Sequence, residues 1–223
     1  MVDSPAQWGA LGGVNSPVVE IARRRKMCRD FSSEAIPDEA VMSAIDVGHR
    51  APSAGNTDAR RVLLLSGEAE TAGYWSTTMS AHRRTNFAWP GLLRAPVLLV
   101  LWTNPDAYLQ RYAEPDKAAT GLGATAGVWP VPYWWVDGGM AAEGILLAAE
   151  SIGLGACFFG LFEHEAAVAS RYGVPEGWRS VGAIALGYPS SDGERLSASA
   201  QRGRLNLAEV VHRGQWTAPA ISA

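Results

Sequence analysis

Short unbroken apolar runs alternate along the chain with longer stretches in which apolar residues recur every three or four positions. The runs Val62–Leu65, Val97–Trp102, Gly155–Phe159 and Val181–Leu186 are continuous and brief, the pattern of strands buried on both faces. Helical spacing places Val18, Ile21, Ala22 and Arg25 on one face, behind Ser16-Pro17 as N-cap and first turn. A second helix opens near Pro37-Asp38 and carries Val41, Ala44, Ile45 and Gly48. Further helices are predicted over Ala69–Ala81, from Asn104-Pro105 to about Ala113, and over Glu165–Tyr172 with Gly173 as its C-cap. The longest predicted helix runs from Asp137 to about Ile152 and is closed by Gly153. Met140, Gly144, Leu147 and Ser151 line one of its faces. Ala141, Ile145, Ala148 and Ala149 make the others apolar too, as in a central, buried helix. Arg83–Arg94 and Glu114–Pro132 follow no period and are broken by Gly and Pro; the second reads as a long loop of the kind that often carries function. From Ser190 to Gly203 the chain is polar, and a short helix and an arm follow.

Strands and helices are interspersed, with no internal repeat and no dividing linker. The expectation is one α+β domain over 1–223, with an N-terminal extension at 1–15, a lid or insertion at 82–135 and a C-terminal arm at 190–223. With 48% hydrophobic and 18% charged residues, the 223-residue chain can bury a substantial core. Its net charge of −3 argues against a nucleic-acid partner. The apolar runs are too short to cross a bilayer, and the N-terminal MVDSPAQWGALGG lacks the charged and apolar parts of a signal peptide. Cys28 and Cys157 form no CxxC, which argues against a disulfide scaffold or a structural zinc site. A soluble, cytoplasmic protein with no membrane partner is expected.

Several chemistries lack their residues. There is no GxGxxG, no GxxxxGK[ST] and no GxSxG. His49, His82, His164 and His212 are scattered and make no HExxH, so no metal site is expected. Cys28 sits among cations but has no evident His-Asn/Asp partner, and reads as a packing residue.

Three segments remain. Five of the seven residues from Arg23 to Arg29 are basic, a cluster able to bind a phosphate through charge-assisted hydrogen bonds or to form a solvated helix face. Ala51-Pro52-Ser53-Ala54-Gly55-Asn56 is a turn offering a hydroxyl, a carboxamide and accessible backbone. Gly153–Phe162 is a helix–turn–strand unit whose glycines admit close backbone approach to a flat ligand.

In order, "RRRKMCRDF", "APSAGN", "WVDGGMAAEGILLAAESIGLGACFFG" and "GAIALGYP" resemble the FMN-dependent nitroreductase family over roughly Ile21 to Pro189. The resemblance implies an α+β fold with a central, mainly antiparallel sheet flanked by helices, and a homodimer that exchanges its C-terminal arms. It assigns the FMN phosphate to Arg25, Lys26, Met27 and Arg29, with Arg202 or Arg204 as a second basic contribution. Met27 stands where the family usually has serine. Pro52, Ser53 and Asn56 match the loop bordering the isoalloxazine and ribityl groups, while Asp58-Ala59-Arg60 replaces the usual Gln-Pro-Trp. Cys157, Phe158, Phe159 and Gly160 match the stretch backing the ring, with the Gly160 N–H a candidate donor to flavin N5. Hydride transfer at N5 needs no side-chain nucleophile, so no catalytic side chain is assigned.

The implied activity is hydride transfer from NAD(P)H to a nitroaromatic, quinone or related planar acceptor by a ping-pong mechanism. Specialised members that fragment flavin, remove halogen reductively or oxidise biosynthetic intermediates are the alternative within the family. A non-catalytic flavin-binding protein is the alternative outside enzymology. The nine tryptophans bear on the acceptor: Trp89, Trp129 and Trp134, with Tyr133, lie outside the strands, where the family forms the wall or lid over the exposed flavin face. They are either an aromatic pocket or packing against a dimer partner.

Overall fold

The computed structural model describes residues 16–190 and 202–216. They fall into two compact units, one within Ile21–Glu194 and one drawn from the two termini. The elements in order are α1 (Pro17–Arg24), α2 (Asp38–His49), β1 (Arg60–Ser66), α3 (Glu68–Thr78), α4 (Ala81–Thr85), β2 (Val97–Thr103), α5 (Pro105–Ala113), α6 (Tyr133–Ser151), β3 (Gly155–Phe159), α7 (Glu165–Tyr172), β4 (Arg179–Gly187) and α8 (Leu207–Val210).

The four strands form one sheet in the order β1-β2-β4-β3, and every pair is antiparallel, as the resemblance implies. All seven residues of β2 are buried, which is why its sequence is a continuous apolar run. Alternate side chains of a strand point to opposite faces. Leu98, Val100 and Trp102 accordingly pack in a cluster with Tyr74 and Trp75 of α3 and Val168 of α7. Val97, Leu99 and Leu101 pack in another with Val41 and Ala44 of α2 and Ala142, Ile145 and Ala149 of α6. The sheet is thus sandwiched, and the central helix α6 lies on one side beside α2. These two helices meet closely at glycine: a Cβ on Gly48 would stand 2.5 Å from Ile145 Cγ1 and 2.8 Å from the Ala141 carbonyl oxygen.

Several ends follow local chemistry read from the sequence. The Asn104 side chain caps α5 by accepting from the Asp106 N–H at 2.9 Å, with Pro105 in the first turn. Gly173 ends α7 in the left-handed conformation at φ 66°. Two boundaries differ. The helix expected over 69–81 stops at Thr78, where Met79 is extended, and Ser80 caps a separate short helix by accepting from the Arg83 N–H. The central helix starts at Tyr133, not Asp137. Asp137 resembles an N-cap in sequence, but its carboxylate is buried and bonded to residues outside the helix.

In the terminal unit, α8 opens with a capping box: the Asn206 side chain accepts from the Ala208 N–H, and Glu209 Oε2 accepts from the Asn206 N–H. The expected N-terminal extension and residues 191–201 lie outside the described residues. Among the described residues no helix is long and apolar enough to cross a membrane, and no cluster of His, Cys, Asp and Glu is suited to a metal ion.

Candidate functional site

The basic segment and the last half of the chain meet at the sheet edge. After α1 the backbone becomes extended, and Met27 forms a parallel bridge with Ala156 of β3. The Cys28 N–H donates to the Ala156 carbonyl at 2.8 Å, and the Phe158 N–H donates to Met27 Sδ at 3.5 Å. Two of the three segments singled out in the sequence are therefore joined by hydrogen bonds, 128 residues apart in the Cys28–Ala156 case (156 − 28).

Extended backbone splits the basic residues between two sides. Arg24, Lys26, Cys28 and Asp30 line a cleft with Glu150, Leu154 and Pro189, and neither Arg25 nor Arg29 lines it. Lys26 is exposed there. The Arg29 guanidinium lies 5.4 Å from the centre of the Trp89 ring, within cation–π range. The Arg25 side chain is only 14% exposed, and its buried Nε has no hydrogen-bond partner. Glu143 Oε1 stands 3.4 Å from that Nε. Arg24 is held more tightly: its Nε donates to Glu150 Oε1 at 2.5 Å. Glu143 and Glu150, both on α6, thus lie along the basic segment. Asp30, in turn, is paired with Arg94.

The Pro52–Asn56 loop is fixed from three directions. Arg60 of β1 donates to the Ala51 carbonyl at 2.7 Å and to Asp58 Oδ1 at 3.2 Å. Asp137 Oδ2 accepts from the Ala54 N–H at 2.8 Å and from the Tyr108 hydroxyl at 2.7 Å. The Arg111 Nε donates to the Gly55 carbonyl at 2.8 Å, while its guanidinium also holds Asp116 through two hydrogen bonds. Hydrogen bonding to Arg111 keeps the Asp116 carboxyl below the usual carboxylate range. Burial first, and then the Asp137 hydrogen bond, push the Tyr108 phenol well above the usual tyrosine range, so it remains a donor. So held, the loop presents Asn56 exposed, in the left-handed region at φ 54°, while the Ser53 hydroxyl accepts from the Asp58 N–H.

Beyond β3, Cys157 is buried and Phe159 stacks on Trp75, with ring centres 5.7 Å apart. Phe158 packs with the cluster on the opposite sheet face. A Cβ on Gly160 would meet the Phe162 ring at 3.1 Å. Phe162 itself is 83% exposed and sits at φ 50°, a conformation costing a bulky residue on the order of 1–2 kcal/mol.

The four aromatic candidates do not form one group. Trp129 and Trp134 are buried together with Tyr108, and Tyr133, with its ring centre 6.2 Å from that of Trp129, is partly exposed. Trp89 packs against the other cluster, with Phe87 and Met79. Arg202 and Arg204 are exposed in the terminal unit.

Sequence reasoning misses Asp137, Tyr108, Arg60 and Arg111 as site residues. One signal for Asp137 exists: it is the one charged residue in the first two turns of α6, amid apolar neighbours, and a buried charge needs partners. Arg60 is visible only as a departure from the family pattern. Its role depends on carbonyl groups of a loop folded back over it.

Residues 22–188 match the Nitroreductase family. A relative from Archaeoglobus fulgidus, named for NADH dehydrogenase/NAD(P)H nitroreductase, is 26% identical over 86% of this chain and 94% of its own length. Among solved structures, an NADPH:FMN oxidoreductase from Vibrio harveyi complexed with NAD+ superposes with a TM-score of 0.66 at 21% identity, covering 92% of this chain and 80% of that one. A nitroreductase-type structure from Desulfovibrio desulfuricans in complex with FMN gives 0.65 at 21% identity, covering 92% and 100%. The chain belongs to the nitroreductase family.

Proposed function

We propose that the protein is an FMN-dependent oxidoreductase that takes hydride from NAD(P)H and passes it to a nitroaromatic, quinone or related planar acceptor, in ping-pong order. The observation that carries this reading is the bonding of the basic segment to β3, which puts an anion-binding group beside the strand able to back a flat ring. The residues present suit the cofactor. The buried Nε of Arg25 makes no hydrogen bond, and its ion-pair partner, Glu143, stands off at 3.4 Å, so the guanidinium keeps capacity for an anion such as a phosphate.

Arg25 and Arg29 would hold the phosphate end, with Met27 serving only through its backbone, Lys26 contributing charge from the other side of the segment and Arg202 or Arg204 from the C-terminal arm. Pro52, Ser53 and Asn56 would border the ring and ribityl chain. Cys157, Phe158, Phe159 and Gly160 would back the ring, and the Gly160 N–H would face N5. Bound FMN supplies the two-electron chemistry; the chain's part is to bind, orient and shield it. Of the aromatic wall expected for the acceptor, Tyr133 is the exposed member that would meet it, with Trp129 and Trp134 packed behind against Tyr108 and Trp89 on the Arg29 side.

A homodimer is part of the reading. Met42 and Val47 on α2, and Val136 and Met140 on α6, are exposed apolar residues on neighbouring helices. Leu205, Val210 and Trp216 in the arm are also exposed, as suits a segment that exchanges with a partner. We take 190–223 as that arm and 1–223 as one functional domain, and within the expected lid of 82–135 we confine the lid to the stretches flanking β2, since β2 is a buried inner strand of the sheet. Cys28 and Cys157 are buried thiols, which suits a reducing compartment, here read as the cytoplasm.

A specialised family reaction is the second reading. It is favoured by Asp58, which stands where the family usually has glutamine and accepts a hydrogen bond from Arg60 at 3.2 Å, so a carboxylate held by a cation replaces the carboxamide. Steady-state assays of the FMN-loaded protein with NADH or NADPH test the main reading. Menadione or a nitroaromatic is expected to drive NAD(P)H consumption, with parallel lines in double-reciprocal plots. Bound FMN without acceptor-dependent consumption would contradict it.

A further inference from the structure

The basic segment is less cationic than its sequence suggests, because α6 sets carboxylates against it. Glu150 and Glu143 are seven residues apart, so they lie on one side of the helix, about two turns from each other. They do different things. Glu150 makes a direct hydrogen bond to Arg24 at 2.5 Å and accepts a second through its backbone carbonyl. That pair fixes the segment to the helix. Glu143 stops 3.4 Å from Arg25 Nε, makes no hydrogen bond to it and leaves that buried donor unsatisfied. The Glu143 side chain is 50% exposed. A carboxylate serving to orient Arg25 would close this gap, as Glu150 does with Arg24.

We propose that Glu143 is an opposing charge at the anion end of the flavin site, weakening the grip on the FMN phosphate so that the cofactor exchanges with solution. The proposal rests on the FMN reading above. Arg25 faces away from the Lys26 cleft and keeps little of its side chain in solvent. A phosphate dianion reaching its guanidinium shares that cation with Glu143, and two anions on one cation repel each other. The other charges near this end are Arg24, already bonded to Glu150, Lys26 on the opposite side, Arg29 against Trp89, and Asp30 bonded to Arg94. The ion pair that Glu143 makes is with Arg25, so an incoming phosphate on that guanidinium acts directly on it. Because the carboxylate reaches water, the repulsion is moderated but not abolished.

The test compares FMN with riboflavin, which carries the same ring and ribityl chain without the phosphate. Dissociation constants and release rates are measured by flavin fluorescence for the wild type, Glu143→Gln and Glu143→Ala, with melting curves to confirm folding. The expected result is FMN binding tighter by roughly three- to tenfold in both variants, mainly through slower release, with riboflavin unchanged and the gain shrinking at high salt. Unchanged or weaker FMN binding in Glu143→Gln would overturn the proposal. So would an equal gain for riboflavin, since the effect would then not act on the phosphate. Failure of the wild type itself to bind FMN would remove the flavin reading, and this proposal with it, before any variant is compared.

Discussion

Replacing Arg25 by alanine is expected to weaken FMN binding about thirtyfold, corresponding to roughly 2 kcal/mol for removing a charge-assisted hydrogen bond donated by a partly buried cation. Riboflavin binding should stay within about twofold, because the ring and ribityl contacts are untouched. The specificity of the loss matters as much as its size. Arg25 has 14% of its side chain exposed and a buried Nε without a hydrogen bond, and its pair with Glu143 at 3.4 Å is looser than the hydrogen bond that holds Arg24 to Glu150. Truncating it also frees Glu143, which adds to the repulsion of an incoming phosphate. Titration of flavin fluorescence on both ligands checks the prediction. Equal affinity of wild type and variant for FMN would show that the basic segment is not the phosphate site.

The second large effect is on stability. Asp137 is 1% exposed and its Oδ2 is the acceptor for both the Ala54 N–H and the Tyr108 hydroxyl. Asp137→Ala leaves these two donors without their acceptor, for an expected loss of about 3 kcal/mol. Asp137→Asn keeps an oxygen that can accept both hydrogen bonds and should lose about 1 kcal/mol. Urea denaturation measures the difference. A loss below about 0.5 kcal/mol in the alanine variant would contradict the role assigned to the carboxylate. The effect should reach the candidate site too, because the loop released from Ala54 is the one carrying Ser53 and Asn56.

Much of the fold is legible in the sequence because it obeys one-dimensional rules. The run Val97–Trp102 is a strand buried on both faces, and Asn104-Pro105 starts a helix because one caps it and the other needs no hydrogen bond there. The antiparallel sheet follows from the family resemblance. Local patterns fail where a side chain's partner is distant in sequence. Asp137 reads as the start of a helix because an acid before an apolar stretch looks like a cap. Its true partners, Ala54 and Tyr108, are 83 and 29 residues away. The opposition of Glu143 to Arg25 is illegible for the same reason. The aromatic candidates group together by their place outside the strands, yet Trp89 joins one packed cluster while Trp129 and Trp134 join another around Tyr108. Nothing in the spacing of those residues separates the two.

The most direct test of the account is an anaerobic absorbance titration of the purified protein mixed with FMN, then with NADH or NADPH. The account predicts a perturbed flavin spectrum that travels with the protein through gel filtration and bleaches on adding the nicotinamide. A protein that leaves the FMN spectrum unchanged and elutes without flavin would contradict it.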